Sequence, residues 1–322
     1  MAVHRMVQAV ARAGMQAEER AQWAERVVNA VNAAFPSAEY TTWSACDRLL
    51  PHAQVCADLI EEYGVSSPAA ARLLNQAGFY LGQRARYAEA EPLYRRALAI
   101  VEKAYGPDHP KLAIRLNNLA GLLQHTNRLG EAEPLMKRAL AIDEKSYGPD
   151  HPHVAIDLNN LAQLLQHTNR LGETKPLMKR VVEIFEKAYG AEHPNVATAL
   201  NNLAGLLKAT NRLGEAEPLM KRALAIDEKS YGPDHPNVAI RLNNLAQLLQ
   251  DMNRLGEAEP LMRRHLEIFC KFTQDTGYGH PHLRAAIGNY ARLLQQMGYS
   301  EEQVRARQKE IATEYGVSIG DE

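Results

Sequence analysis

Cysteine is almost missing from this chain. Cys46, Cys56 and Cys270 are the only three in 322 residues, and no two form a Cys-x-x-Cys pair. That excludes a disulfide framework and a thiolate metal centre, and fits thiols kept buried and reduced. Net charge is missing too: 37 Lys+Arg against 38 Asp+Glu gives −1. Nucleic-acid binding through bulk positive charge is thereby excluded. Aromatic residues are scarce at 6%, while Ala and Leu abound, a composition of helices rather than sheets. No run of about 18 apolar residues could span a bilayer, and no basic start leads into an apolar stretch as in a signal peptide. A soluble cytoplasmic protein with no membrane partner is expected. The motifs of catalysis are lacking as well: there is no Gly-x-x-x-x-Gly-Lys-Ser/Thr, Gly-x-Ser-x-Gly, His-Glu-x-x-His or Gly-x-Gly-x-x-Gly. No catalytic residue, metal set or cofactor is expected.

What the chain does have is a period. His-Pro stands at His109, His151, His193 and His235, each 42 residues after the last, and again at His280 after 45. The string LNNLA starts at Leu116, Leu158, Leu200 and Leu242, with degenerate copies LNQAG at Leu74 and IGNYA at Ile287. NRLGE starts at Asn127, Asn169, Asn211 and Asn253. Each unit reads as two helices. The first begins after His-Pro, where proline fits a first turn and Asp or His can cap. Leu116, Leu119, Ala120 and Leu123 fall at helical spacing on one stripe. Asn-Arg-Leu-Gly then breaks the helix. The second is expected to open at Glu131-Ala132-Glu133-Pro134, with the proline still among the first four N–H positions. Its stripe is Ala132, Leu135, Met136, Ala139, Leu140 and Ile142, and Tyr147-Gly148-Pro149 ends it. Neither helix can bury its stripe alone, so neighbouring pairs must stack.

Histidine recurs with the repeat, at one helix start per unit, and is read as structural. His151 and His153 have weak ligand spacing with no Cys or carboxylate cluster beside them. Glu133 and Asp143 also recur, without a partnered nucleophile. The basic pairs Lys137-Arg138, Lys179-Arg180, Lys221-Arg222 and Arg263-Arg264 are interleaved with Glu and read as a solvated outer face, not a nucleic-acid stripe.

A helical wheel at about 100° per residue places one row opposite the packed stripe of every first helix. The first unit contributes Arg72, Gln76, Phe79 and Gln83. Ile114, Asn118, Gly121 and His125 come next, then Ile156, Asn160, Gln163 and His167. Thr198, Asn202, Gly205 and Ala209 follow. Ile240, Asn244, Gln247 and Asp251 precede Ala285, Asn289, Arg292 and Gln296. An asparagine offers one acceptor and two donors, so one per repeat matches the alternating groups of an extended peptide. Asn118, Asn160, Asn202, Asn244 and Asn289 are therefore expected to hold a peptide backbone, with Arg72 and Arg292 as charges at the ends. Asn117, Asn159, Asn201 and Asn243, beside the row, are expected to bond between repeats, and Arg115, Lys208 and Arg241 to flank it. Residues 111–152 and 195–236 differ at six positions, all in the first helix. That pattern fits a surface tuned for a partner, and recent duplication produces near-identity as well.

The spacing of Leu119-Ala120, Leu123, Ala132, Met136 and Ala139 resembles the tetratricopeptide repeat. Its 42-residue period and EAEPLMKRALAI-type second helix are similar to the long variant of kinesin light chains and many bacterial regulators. The resemblance covers about residues 69–297. It implies an all-α fold: a right-handed superhelical solenoid of stacked antiparallel helix pairs whose concave groove, lined by first helices, binds a protein or an extended peptide. Ligand-binding asparagines at the matching first-helix position are part of what it implies. The kinesin-light-chain cargo groove is basic, and this row is nearly neutral between its ends, a departure that argues against acidic cargo. Residues 1–68 form a separate, degenerate helical segment, helical around Ala17–Phe35 and Pro51–Tyr63. With MVQAVAR and EERAQWAERVVNAVNAAFP it resembles the join between a winged-helix module and the repeats of bacterial STAND (NB-ARC) ATPases. The array proper is expected over 69–279, and a last degenerate repeat with a capping helix pair, Leu283–Met297 and Glu301–Tyr315, over 280–322. The function expected is a non-catalytic peptide-binding scaffold, as the sensor arm of a STAND-type regulator or as a structural adaptor able to self-associate.

Overall fold

In a computed structural model, residues 14–39 and 42–318 are described. Among them are fourteen α-helices and no strand. Helices α1 (Ala17–Ala34) and α2 (Trp43–Tyr63) precede the repeats. The repeat pairs are α3 (Pro68–Gln83) with α4 (Tyr87–Tyr105), α5 (Pro110–His125) with α6 (Leu129–Tyr147), and α7 (Pro152–His167) with α8 (Leu171–Tyr189). Then come α9 (Pro194–Ala209) with α10 (Leu213–Tyr231), and α11 (Pro236–Asp251) with α12 (Leu255–Thr276). The last two are α13 (Leu283–Gln296) and α14 (Glu301–Glu314). The chain divides into two compact units, Met1–Leu164 and Leu165–Glu322. In the first, α1 packs on α2 and α3, α3 pairs with α4, α5 with α6, and α4 lies against α5. In the second, α9 pairs with α10 and α11 with α12, α10 lies on α11, and α12 on α13.

The same local chemistry builds every pair. Before α3 the cap is Ser67, which accepts from Ala70 N–H; before later first helices a histidine turns its ring back, and Nδ1 of His109, His193 and His235 accepts from the backbone N–H two residues on at 3.1 Å. Each ring is held by the tyrosine that ends the preceding helix, as Tyr105–His109 and Tyr231–His235 at 4.7 and 4.6 Å between centroids. A cap of this kind contributes about 1 kcal/mol. The turn after the first helix has Asn127, Asn169, Asn211 and Asn253 at φ 57–59°, and the next N–H closes back on the helix, Arg128 on the Leu123 carbonyl at 2.8 Å. Asparagine is one of few residues that enter this region cheaply.

The packed stripes are as the periodicity requires. Leu116, Leu119, Ala120, Leu123, Ala132, Met136, Ala139 and Ile142 are all buried. Alanine at 120 and 139 lets the helices approach closely. The first repeat exchanges a volume: Gly78 stands where later repeats have alanine, because Tyr94 replaces methionine, and a Cβ on Gly78 would lie 3.2 Å from its ring.

Two helix starts differ from expectation. The second helices begin at Leu129 and its equivalents, two residues early, so Pro134 occupies the second turn. The proline removes the bond to the Gly130 carbonyl, which lies on an exposed residue. Likewise α2 starts at Trp43 and runs through Pro51, where the sequence suggested a start. The MVQAVAR segment lies outside the described residues.

Candidate functional site

The exposed face of the first helices is where the wheel placed it. In the first unit Arg72, Phe79, Gln83, Ile114, His125, Ile156 and Gln163 are exposed, while Gln76, Asn118 and Asn160 are half-buried. In the second unit His167, Thr198, Gly205, Asp251 and Arg292 are exposed, and Asn202, Asn244, Gln247 and Asn289 half-buried.

The half-buried amides form a ladder between repeats. Asn118 Nδ2 donates to Asn75 Oδ1 at 2.8 Å, Asn244 Nδ2 to Asn201 Oδ1 at 2.9 Å, and Asn289 Nδ2 to Asn243 Oδ1 at 2.8 Å. The second asparagine of one repeat thus donates to the first position of the repeat before. One N–H of Asn118, Asn244 and Asn289 is engaged this way, which fixes the amide plane and leaves the other N–H; Asn117 Oδ1, the matching acceptor for Asn160, has no partner. Asn117 departs from the pattern and donates to Asp157 Oδ1 at 2.5 Å. Asn159 and Asn202 are half-buried within the same two rows.

At the end of the second unit this face deepens into a polar hollow of about 260 Å³ over α9, α11, α12 and α13. Lys208, Gln247, Asp251, Asn289, Arg292 and Gln296 line it, over Met262. Gln247 Nε2 donates to Asn243 Oδ1 at 3.3 Å, and Arg292 donates to Asn289 Oδ1. Lys208 Nζ lies 3.1 Å from Asp251 Oδ2. Five residues of the row read from the sequence (Gln247, Asp251, Asn289, Arg292 and Gln296) and the flanking Lys208 meet here. Arg115 and Arg241 do not lie open beside the row; both turn into the seam between repeats.

That seam is the feature the sequence reading missed. One slot on each second helix faces the residue just before LNNLA on the next first helix. It is filled by Val101 and Arg115, Asp143 and Asp157, Phe185 and Ala199, Asp227 and Arg241 in successive repeats. Asp143, Asp157 and Asp227 are all but fully buried. Arg241 Nε holds Asp227 Oδ2 at 2.8 Å, and its Nη2 reaches Thr198 Oγ1 at 2.9 Å. Asp157 has no cation. Burial, and the Asp143 carboxyl bonded to it, push its pKa up to about 7 against the pull of Asn117. Burial raises Asp143 as well, His153 opposing, with His153 Nδ1 3.9 Å from Asp143 Oδ2. Two buried carboxyls side by side disfavour each other's ionised form. The slot was legible: Asp143 lies four residues after Ala139, and Val101, Phe185 and Phe269 hold the same place in other repeats.

On the outer face, Arg138, Arg222 and Arg264 pair with Glu102, Glu186 and Glu228 of the preceding second helix, at 2.6, 2.7 and 2.5 Å. Among the described residues no three His, Cys, Asp or Glu side chains are grouped to hold a metal ion, and no helix is long and apolar enough to cross a membrane.

A family model described as tetratricopeptide repeat matches residues 69–145, 115–173, 158–229 and 212–271, together more than half of the chain. No curated protein matches. Among solved structures, the nearly identical TPR-like repeats of a Podosopora anserina protein named for kinesin light chain align at 25% identity and TM-score 0.53, over 65% of this chain and 99% of that one. A point variant of that protein aligns at 24% and 0.56 over the same shares. BtubC (BKLC) from P. vanneervenii aligns at 21% identity and TM-score 0.56, over 80% of this chain and 94% of that one. These likenesses are of fold.

Proposed function

This chain belongs to the tetratricopeptide repeat family, and from that membership we propose that it is a non-catalytic scaffold that binds an extended peptide along the exposed face of its first helices. The observation that carries this is the set of bridged asparagines: Asn118, Asn244 and Asn289 are each oriented by one bond to the repeat before, with a second N–H left to give. Peptide backbone needs such alternating donors and acceptors, and pre-oriented ones cost less entropy to engage. The polar hollow between Lys208 and Arg292 supplies one place where a bound chain is enclosed rather than merely touched.

The test is a synthetic array of ten-residue peptides probed with the full chain. Substituting both Gln247→Ala and Arg292→Ala should weaken retained peptides about tenfold, the equivalent of about 1.4 kcal/mol, with the helical circular-dichroism signal and melting profile kept. Unchanged retention by that folded variant would end this reading.

The narrower role, sensor arm of a STAND-type regulator, draws only on the sequence resemblance of residues 1–68. The adaptor or self-associating role has one observation in its favour: Trp23, Val27 and Val55 are 46, 40 and 52% exposed on α1 and α2. A mass that rises with concentration in solution, and falls back in Trp23→Ser, supports it.

A further inference from the structure

Three buried oxygens at one seam have nothing to donate to them. Asp143 on α6 and Asp157 on α7 are 2 and 1% exposed, and their carboxyls are in contact. Asn117 on α5 gives its Nδ2 to Asp157 Oδ1 at 2.5 Å. Asn117 Oδ1, Asp143 Oδ1 and Asp157 Oδ2 are buried and have no hydrogen-bond partner; they are three of the five such side-chain atoms among the described residues. Carboxylate and amide oxygens only accept. What three acceptors without a donor call for is positive charge.

The sister seam carries that charge. Helix α10 repeats α6 residue for residue, and Asp227, the counterpart of Asp143, holds the Arg241 guanidinium at 2.8 Å. Where that seam has Arg241 this one has Asp157, a second acid. The neighbouring base does not replace the cation: His153 Nδ1 stands 3.9 Å from Asp143 Oδ2, beyond hydrogen-bond reach. Its side chain is 45% exposed, so the seam has a route to solvent on that side. The donor set then narrows the class of ion. Two carboxylates and one amide carbonyl are hard oxygens with no thiolate among them, a set suited to calcium or magnesium with water completing the shell. It differs from a group of three His, Cys, Asp or Glu, of which there is none among the described residues, because its third oxygen comes from an amide.

We propose that Asp143, Asp157 and Asn117 hold a hard divalent cation, Ca²⁺ or Mg²⁺, where α5, α6 and α7 meet, and that it clamps one repeat to the next as the Arg241 guanidinium does two repeats on. This does not rest on the peptide-binding reading. It adds a ligand that the sequence, with no Cys or His spacing to mark it, did not announce. Without metal the pair is an acid couple whose pKa values burial raises, so cation and proton compete for the seam.

The experiment titrates calcium chloride, and separately magnesium chloride, into the full chain after chelator treatment and desalting, at neutral pH and fixed ionic strength. Binding is read by calorimetry and stability by thermal melting. The wild type should take up one ion per chain and melt several degrees higher in millimolar metal. Asp157→Asn removes one charged ligand. Asp157→Arg installs a tethered cation as at Arg241, a seam the chain already builds. Both should show no calorimetric binding and no rise in melting point, while melting no lower than metal-free wild type. Asn117→Ala, which takes away only the neutral oxygen, should weaken binding without abolishing it. Uptake of just one of the two metals supports the site and identifies its occupant. An ion that binds the wild type and both Asp157 variants alike sits elsewhere and overturns the assignment. No uptake of either metal by the wild type overturns it too, leaving the three oxygens to a proton or a buried water. Equal melting shifts in all chains are a salt effect and count against the site in the same way.

Discussion

Helices α6 and α10 have the same nineteen residues, LGEAEPLMKRALAIDEKSY, yet they meet their neighbours by opposite chemistry. Asp227 on α10 faces Arg241 as a buried ion pair. Asp143 on α6 faces Asp157, and burial raises the pKa of both carboxyls. One substitution on the adjoining first helix converts a permanent ion pair into a titratable contact. The lesson is that a repeat scaffold holds geometry constant while single seam residues set the electrostatics. The seam with Phe185 and Ala199 shows that the fold needs no charge there at all, since both are buried as ordinary core.

The harshest way to break the comparison is Arg241→Ala. Asp227 would then be a buried carboxylate without its cation, and removing one partner of a buried pair costs about 3–5 kcal/mol. Because repeat arrays can unfold piecewise, the loss should be read by native-state hydrogen exchange, as falling protection of amides in α10 and α11.

The second way is titration. Asp157 is an acid whose folded pKa, about 7, lies above its ordinary 3.8. The folded state therefore binds the extra proton between those values, and stability falls as pH rises through that window. Protection of α6 and of α7 up to residue 164, corrected for intrinsic exchange, should decline from pH 5 to 8, while the α10–α11 seam stays level. Asp157→Asn should abolish the decline. Asp157→Arg should do so too, by copying the other seam. A decline that survives Asp157→Asn would remove the raised Asp157 pKa from the account.

How much of this was legible can be judged at particular residues. The packed stripes, the histidine caps, the asparagine turns and the capping pair all follow from local rules that depend on spacing, so one sequence suffices. The exposed row follows from the same wheel. The seam did not emerge because hydrophobic patterning treats Asp143 and Asp227 as surface residues, and only aligning each with Val101, Phe185 and Phe269 marks the slot as core. The start of α2 before Pro51 was hidden for a related reason: proline is read as a boundary, but a helix can carry one where the freed carbonyl finds water. Arg115 and Arg241 looked alike in sequence, and only the residue opposite separates a satisfied cation from an unsatisfied one.

The smallest expected effect sharpens the comparison from the other side, at a position where the repeats should be interchangeable. Ala85 takes the left-handed turn that asparagine takes elsewhere, φ 57° against 57–59°, and Arg86 N closes on Leu81 O at 2.9 Å as in the other turns. An alanine there carries a penalty of about 1 kcal/mol from its Cβ, which asparagine mostly avoids. Ala85→Asn should therefore raise protection of α3 and α4 by about 0.5–1 kcal/mol, and Asn211→Ala should lower that of α9 and α10 by as much. Equal and opposite shifts are what a purely local backbone requirement demands. At the seams no such symmetry is expected, because exchanging Asp157 for Arg creates an ion pair, whereas exchanging Arg241 for Asp sets two buried carboxyls against each other. Unequal shifts at the turns would mean that each turn, like each seam, is conditioned by its neighbours, and would take away the constant backbone against which the seams are compared.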